Sequence, residues 1–526
     1  MKKNINPAAI LLIFSYALIY FFWGERLPVS GGLGWDGLTY AAYAKDFIHE
    51  ISTNADLYHV SRCFPSLLIW LTTKLFHLSL DSPRDIFNAF FIFNALCFML
   101  IAYLWGKIVG LKHFSIATQL FGFLCFFCNF VFLKYYFYAP VVTDIFALLL
   151  GMCSLYFYLK KSIIGLNLLL IPTLLTWPIG LVFISILIFF DKPLSECIND
   201  NPSSALRAPS PLRGEGKNRG FSLLPSEERR MRVVAWTVAL GYGLSLFLLS
   251  RFSLTTHLWQ AAGTQISTKL ALLSAILVGI YVFRIMDSIQ PSLFLKSIRD
   301  FNKTNLLIYL PFLALTLATH YFLKSLSPNH LLSESSPKIL NFFLFYIPTA
   351  PLIKPGLFFT MFAVNWGPMA FLVILKCREM FIKAFAEGSA LAMLLLISFY
   401  FLLNPQCRFD TFLIPLTIYS LSLVMQNLKI NLRFCFAYLL ISLYCSKFYY
   451  SLNSGYIPIQ PTGEQLYTTG LQRFFMNTGY WVSWEGYLLT LLITLMTGLM
   501  MLVLLRRFMP RSTVSNPPFQ YRIPAA

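Results

Sequence analysis

Apolar residues run in long blocks, separated by short polar gaps, over most of the chain. Blocks near the ~20 residues that cross roughly 30 Å of hydrocarbon fall at 8–23, 86–106, 114–133, 141–159, 233–250 and 270–286. Six more follow at 305–323, 357–375, 388–404, 411–425, 432–448 and 486–505. The pattern predicts an all-α polytopic membrane protein with about 12 spanning helices. A further block, 162–190, breaks the alternation. It follows Lys160 and Lys161 and precedes a basic stretch from Lys192 to Arg232. One crossing there would put that stretch outside, against the cytoplasmic preference of Lys and Arg. Pro172 and Pro178 interrupt the block, so it reads as a re-entrant pair of short helices.

With Lys2 and Lys3 inside, most Lys and Arg fall inside, including Arg506, Arg507 and Arg511, whereas acids divide nearly evenly. That bias is specific to cations, as the positive-inside rule requires. Both termini are then cytoplasmic, and the expected location is a bacterial inner membrane. The opening MKKNINPAAILLIFSYALIYFFWGER has a basic end and no small-residue cleavage site. It reads as an uncleaved first helix.

Four parts result. Residues 1–190 form an N-terminal membrane module, whose first outer loop, 24–85, holds juxtamembrane helices at 37–51 and 64–78. Residues 191–232 form a basic cytoplasmic loop, followed by the remaining membrane helices, 233–506, and a cytoplasmic tail, 507–526. Within the loop, 200–231 is rich in Pro, Gly, Ser and charge and reads as disordered. Its phrase PSPLRGEG resembles peptides encoded by repetitive elements in bacterial genomes, as a tolerated insertion would. Weaker outer loops lie at 251–269, 324–356 and 449–485.

Only 12% of residues are charged, about half the proportion of a soluble domain, so no separate soluble domain is expected. A net charge of +19 would suggest nucleic acid in a soluble protein. Here the cations occupy short gaps between apolar blocks, where they act as topology signals and meet anionic membrane lipids. No nucleic-acid partner is expected. The ten Cys lie mostly inside apolar blocks and the seven His have no metal-site spacing, so zinc is not signalled. Cys63 and Cys407 fall on the outer side and are either a disulfide or two free thiols.

An ionisable residue beside the bilayer is costly, which makes it a functional candidate. Four outer clusters qualify. Asp36, after the Gly-rich approach to Gly34-Trp35, is either the N-cap of helix 37–51 or a carboxylate that deprotonates an acceptor hydroxyl or holds a divalent metal. Arg62, before Cys63-Phe64-Pro65, either holds a phosphate in its planar fork or snorkels to head groups. Asp144, after Tyr135-Tyr136-Phe137-Tyr138-Ala139-Pro140, is a helix-dipole partner or a second acid in a site shared with Asp36. Arg408 pairs either with a phosphate or with Asp410.

The order of these motifs resembles the GT-C superfamily of membrane glycosyltransferases, which includes protein O-mannosyltransferases and lipid A aminoarabinose transferases. The matching features are WDG..Y..YA at Trp35–Ala44, R..P at Arg62–Pro65, PVVTD at Pro140–Asp144, the short helix pair around Thr176-Trp177-Pro178-Ile179-Gly180, and RF....P at Arg408–Pro415. They cover roughly residues 10–190 and 390–425. The resemblance implies a GT-C-like fold and a polyprenyl-phosphate sugar donor used at the outer face, with a lipid or glycan acceptor. It implies Asp36 and Asp144 as catalytic acids, Asp36 as base or metal ligand, Arg62 and Arg408 as donor-phosphate contacts, and Tyr40 and Tyr138 in support. Two features depart from it. Gly37 stands where many relatives carry a second acid, and Thr176-Trp177-Pro178 stands where many carry Lys or Arg.

The main rival from another class is a transporter or flippase for a lipid-linked or small polar substrate. Such carriers concentrate polar residues at mid-membrane in internal repeats, whereas these candidates sit at loop ends and the two halves show no repeat. A membrane acyltransferase lacks an evident His–acid pair, His257 being isolated. A glycan polymerase usually places its large loop late in the chain.

Overall fold

The computed structural model describes residues 6–54, 57–190, 225–252, 255, 259–260, 266–289, 301–326, 342–453, 472–477 and 479–508. Every regular element among them is helical. Each of the twelve apolar blocks coincides with a helix, but the helices are not twelve long rods. Five have the length and composition to cross a membrane: Pro83–Lys112, Arg232–Leu249, Thr268–Ser288, Thr304–Leu326 and Trp484–Phe508. Two bent pairs raise the number to seven: Ile116–Phe127 with Val131–Tyr138, bent by 49°, and Phe343–Leu352 with Leu357–Trp366, bent by 94°. Other blocks are shorter helices, among them Asp144–Leu159, Ser389–Phe401 and Leu432–Ser446.

Local polar chemistry explains the breaks. Asn129 interrupts its block by accepting the Phe132 N–H at 3.0 Å, satisfying a donor that the bend frees. Ser82 and Asp85 form a capping box ahead of Pro83, the combination that starts a helix firmly. Ser115 and Asn431 cap the helices that follow them.

The helices alternate between two ends of the bundle. At one end Leu27 N donates to Tyr138 O at 2.9 Å, tying the first loop to the close of the first bent pair. At the opposite end Lys112 pairs with Glu387, and Ser115 N donates to Gln426 Oε1 at 2.9 Å. Block 162–190 forms a hairpin between these levels. Ile163–Leu174 leaves the opposite end, and at its tip Leu175 O accepts from Phe64 N at 2.9 Å. Gly180–Phe189 then returns, and Phe190 O accepts from Ala390 N at 3.0 Å, three residues from Glu387. The hairpin enters and leaves at the same end, with Pro178 in its turn.

The first loop is packed. Its expected helix 37–51 is two helices, Gly37–Lys45 and Phe47–Thr53, broken at Asp46, whose side chain accepts from His49 N. The expected helix 64–78 is Phe64–Leu75. Tyr40, Tyr43, Phe47, Ile51, Val60 and Ile69 bury a small core of their own against Phe90 and Val141. The helix Pro225–Leu249 begins inside the stretch expected to be disordered. Residues 191–224, the tail from 509 and His257 lie outside the described residues. Cys63 and Cys407 are buried free thiols. Cys125 and Cys128 stand at Cys-x-x-Cys spacing, yet Cys125 shares a hydrogen bond with Tyr438 Oη at 3.3 Å and both thiols are free.

Glu25 latches this loop to residues 451–453. Its carboxylate accepts from Lys134 Nζ at 2.8 Å, Ser451 Oγ at 2.6 Å, and Leu452 N and Asn453 N, each at 3.0 Å. Partial burial opposes ionisation, but these donors outweigh it and hold the carboxyl down at about 2. A depressed carboxylate contributes stability above its unfolded value near 4.5, lost as pH falls towards 2. Glu25→Gln is therefore expected to melt lower at pH 7 by detergent-stability assay. The gap to wild type should close between pH 4.5 and 2; a gap constant with pH would remove the charge from the argument.

Candidate functional site

At the latched end, four charged residues converge from four distant segments. Asp36 occupies the N-cap position of Gly37–Lys45, but its side chain caps nothing. Among the described residues its half-buried carboxylate makes no hydrogen bond and no ion pair within 4.0 Å, although its charge acts on Asp144, Arg408 and Tyr40. Gly37 lets this turn close on the chain leading to Asp144. A Cβ there would lie 3.0 Å from Val141 O and 3.2 Å from its Cβ. A second acid at 37 would require the chain at Val141 to give by a few tenths of an ångström.

Asp144 is the first residue of Asp144–Leu159, 2% exposed, and its Oδ2 has no hydrogen-bond partner. Its charge interacts with those of Arg408, Arg62 and Asp36. A buried carboxylate without a direct partner is costly, and here opposite charges stand around it rather than on it.

Arg62 is seated between two aromatic rings. Its guanidinium lies over the rings of Tyr58, at 4.3 Å, and Trp177, at 4.9 Å. Such stacking fixes the plane and leaves the N–H edge for another acceptor. The hairpin tip thus supplies an aromatic seat, where many proteins of the resembled type carry a cation. Trp177→Leu removes a buried ring, so it is expected to lower stability and to weaken binding of an anionic ligand about tenfold in the folded protein. Equal affinity in the two proteins would reduce Trp177 to packing.

Arg408 turns away from Asp410. Asp410, 1% exposed, accepts from Ser398 Oγ at 2.9 Å, whereas the Arg408 charge interacts with Asp144 and Tyr135. Burial disfavours the Arg408 charge, but Asp144, Tyr58, Tyr135 and Asp36 more than offset it and raise its proton affinity. No ion pair within 4.0 Å joins Arg62 or Arg408 to an acid among the described residues.

Tyr40 is buried with an unpartnered hydroxyl, and burial pushes its phenol well above the ordinary range. Its charge environment contains Arg62, Asp36 and Asp144, so it belongs to the cluster. The Tyr138 hydroxyl donates to Asn453 Oδ1 at 2.8 Å. Its neighbours Tyr135 and Tyr136 interact electrostatically with Asp144 and Arg408. Segment 472–477 adds a wall that the sequence left inside a weak loop. Phe474 stacks on Tyr135 and Tyr138, and Phe475 stacks on Trp35, the neighbour of Asp36. The run of aromatic residues was visible, but nothing in it tells which ring faces the acids.

No group of three or more His, Cys, Asp or Glu side chains able to hold a metal comes together among the described residues. A cation on Asp36 would need water or substrate oxygens as its other ligands, an arrangement familiar for Mg²⁺ on phosphates. No family model, curated protein or solved structure matches this chain.

Proposed function

We propose that this chain is a membrane glycosyltransferase, moving a sugar from a polyprenyl-phosphate donor to a hydroxyl of a lipid or glycan acceptor. The observation carrying this reading is the cluster itself: a carboxylate without a hydrogen bond among the described residues, Asp36, beside two arginines whose N–H edges meet no acid. Two planar forks suit a phosphate and a free carboxylate suits a hydroxyl proton. The order of the motifs along the chain, similar to that of the GT-C superfamily, points the same way. The cation bias of the loops assigns this end to the periplasmic side of a bacterial inner membrane.

In this reading the acceptor oxygen attacks the anomeric carbon from the face opposite the phosphate. The bond from that carbon to the phosphate oxygen breaks, and the phosphate takes the electron pair, inverting configuration. Asp36 receives the hydroxyl proton, and Arg408 and Arg62 stabilise the departing phosphate. Asp144, fixed in the protein, holds the two guanidinium groups towards that position. A divalent cation brought by the donor would find Asp36 as its protein ligand and add charge neutralisation.

The test is polyprenyl-phosphate release by protein reconstituted in liposomes, from a panel of polyprenyl-phosphate sugars with membrane extract as acceptor. Release with one donor supports transfer. Silence across the panel, together with movement of a labelled lipid-linked sugar between leaflets, would favour a carrier instead.

A further inference from the structure

At the end of the bundle opposite the charged cluster, a cavity of about 370 Å³ opens among Lys107, Gly110, Leu111, His113, Tyr156 and Lys160. Two lysines and a histidine line it, and no acid does. The neighbouring cation, Lys112, is already taken by Glu387. Lys107 and Lys160 lie over the rings of Tyr103 and Tyr156, at 5.0 and 5.7 Å. Neither forms an ion pair among the described residues. Their ammonium groups are held in place by rings and offer their protons to something else.

The membrane-crossing helix Pro83–Lys112 supplies a second observation. Ile92, Leu96, Leu100, Tyr103 and Lys107 are all exposed and succeed one another every three or four residues. They form one stripe along the helix that ends at the cavity mouth. A Cβ on Gly110 would meet nothing within 4 Å, so the mouth is open there.

We propose that this cavity binds the phosphate of an anionic phospholipid, with an acyl chain lying along the Ile92–Lys107 stripe. Phosphate is a compact, multivalent acceptor for Lys107, Lys160 and His113, and the stripe accounts for a lipid rather than a free ion. Basic pockets between membrane helices hold anionic head groups in this way, each cation adding roughly 1 kcal/mol.

The test uses full-length protein in nanodiscs of equal parts phosphatidylglycerol and phosphatidylcholine, followed by native mass spectrometry of the lipids kept after extraction. Wild type is expected to retain phosphatidylglycerol selectively. Two lysine charges correspond to about a thirtyfold change, so Lys107→Gln with Lys160→Gln should abolish the selectivity. Lys45→Gln with Lys74→Gln, exposed at the other end, should preserve it. Gly110→Trp keeps every charge and fills the mouth, and should also abolish it. Equal retention of both lipids by wild type would overturn the proposal. So would full selectivity in either the lysine variant or Gly110→Trp.

Discussion

Asp36→Asn is expected to lower polyprenyl-phosphate release at least ~100-fold at unchanged stability, because a positioned general base contributes roughly 10²–10⁴-fold. The unchanged stability is as much a part of the expectation as the lost rate. An aspartate serving as helix cap costs typically ~1 kcal/mol when removed, but Asn caps about as well as Asp, and here the side chain makes no cap bond. Asp36→Glu sharpens the comparison, since it keeps the base and moves it by one methylene. Intermediate turnover in Asp36→Glu, with none in Asp36→Asn, locates the function in the carboxylate. Turnover at the wild-type rate in Asp36→Asn would reduce Asp36 to a structural residue and direct attention to Asp144.

Arg408→Ala should cost both fold and function. Asp144 is buried with Arg408 as one of the two cations that answer its charge. Removing one partner of a buried charge pair costs about 3–5 kcal/mol. Arg408 makes no direct ion pair with Asp144, and Arg62 remains nearby, so the expected loss falls at or below the lower end of that range. The double variant Arg408→Ala with Asp144→Asn removes the stranded charge as well, so it should melt closer to wild type than Arg408→Ala alone. Donor turnover should stay lost in both. A double variant no more stable than the single one would show that the two charges are not coupled.

These expectations draw on a site whose members were largely visible in the sequence, although their arrangement was not. Asp36, Arg62, Asp144 and Arg408 stand out because charge is rare beside apolar blocks, and cost makes rarity informative. The spacing could not choose between cap and carboxylate for Asp36, or between phosphate contact and Asp410 pairing for Arg408. Those choices depend on contacts hundreds of residues apart. Trp177 shows the limit most plainly. In the chain it stands at the turn of an apolar hairpin where a cation is expected, and its contact with Arg62 shows only once the ring lies against the guanidinium. Tyr135 and Tyr136 join Tyr138 at the aromatic wall, and periodicity through a bend does not fix which rings of such a run turn towards the acids. The apolar blocks located the helices well. They overstated the number of long ones, because Asn129 and the Gly367-Pro368 pair end helices inside blocks that hydropathy reads as continuous.

The hairpin at 162–190 and the loop at 404–410 bear on how the protein is made. Asp36, Arg62, Asp144 and Trp177 all precede residue 191, whereas Arg408 and the wall at Phe474 and Phe475 come from the other half of the chain. During synthesis the first half can be threaded into the bilayer, and its hairpin closed, long before the ribosome reaches Arg408. Until then the acids of the nascent chain face Arg62 alone. Under the proposed function, competence to bind the donor phosphate would therefore arrive late and in one step, so that truncated products carry the acids without Arg408.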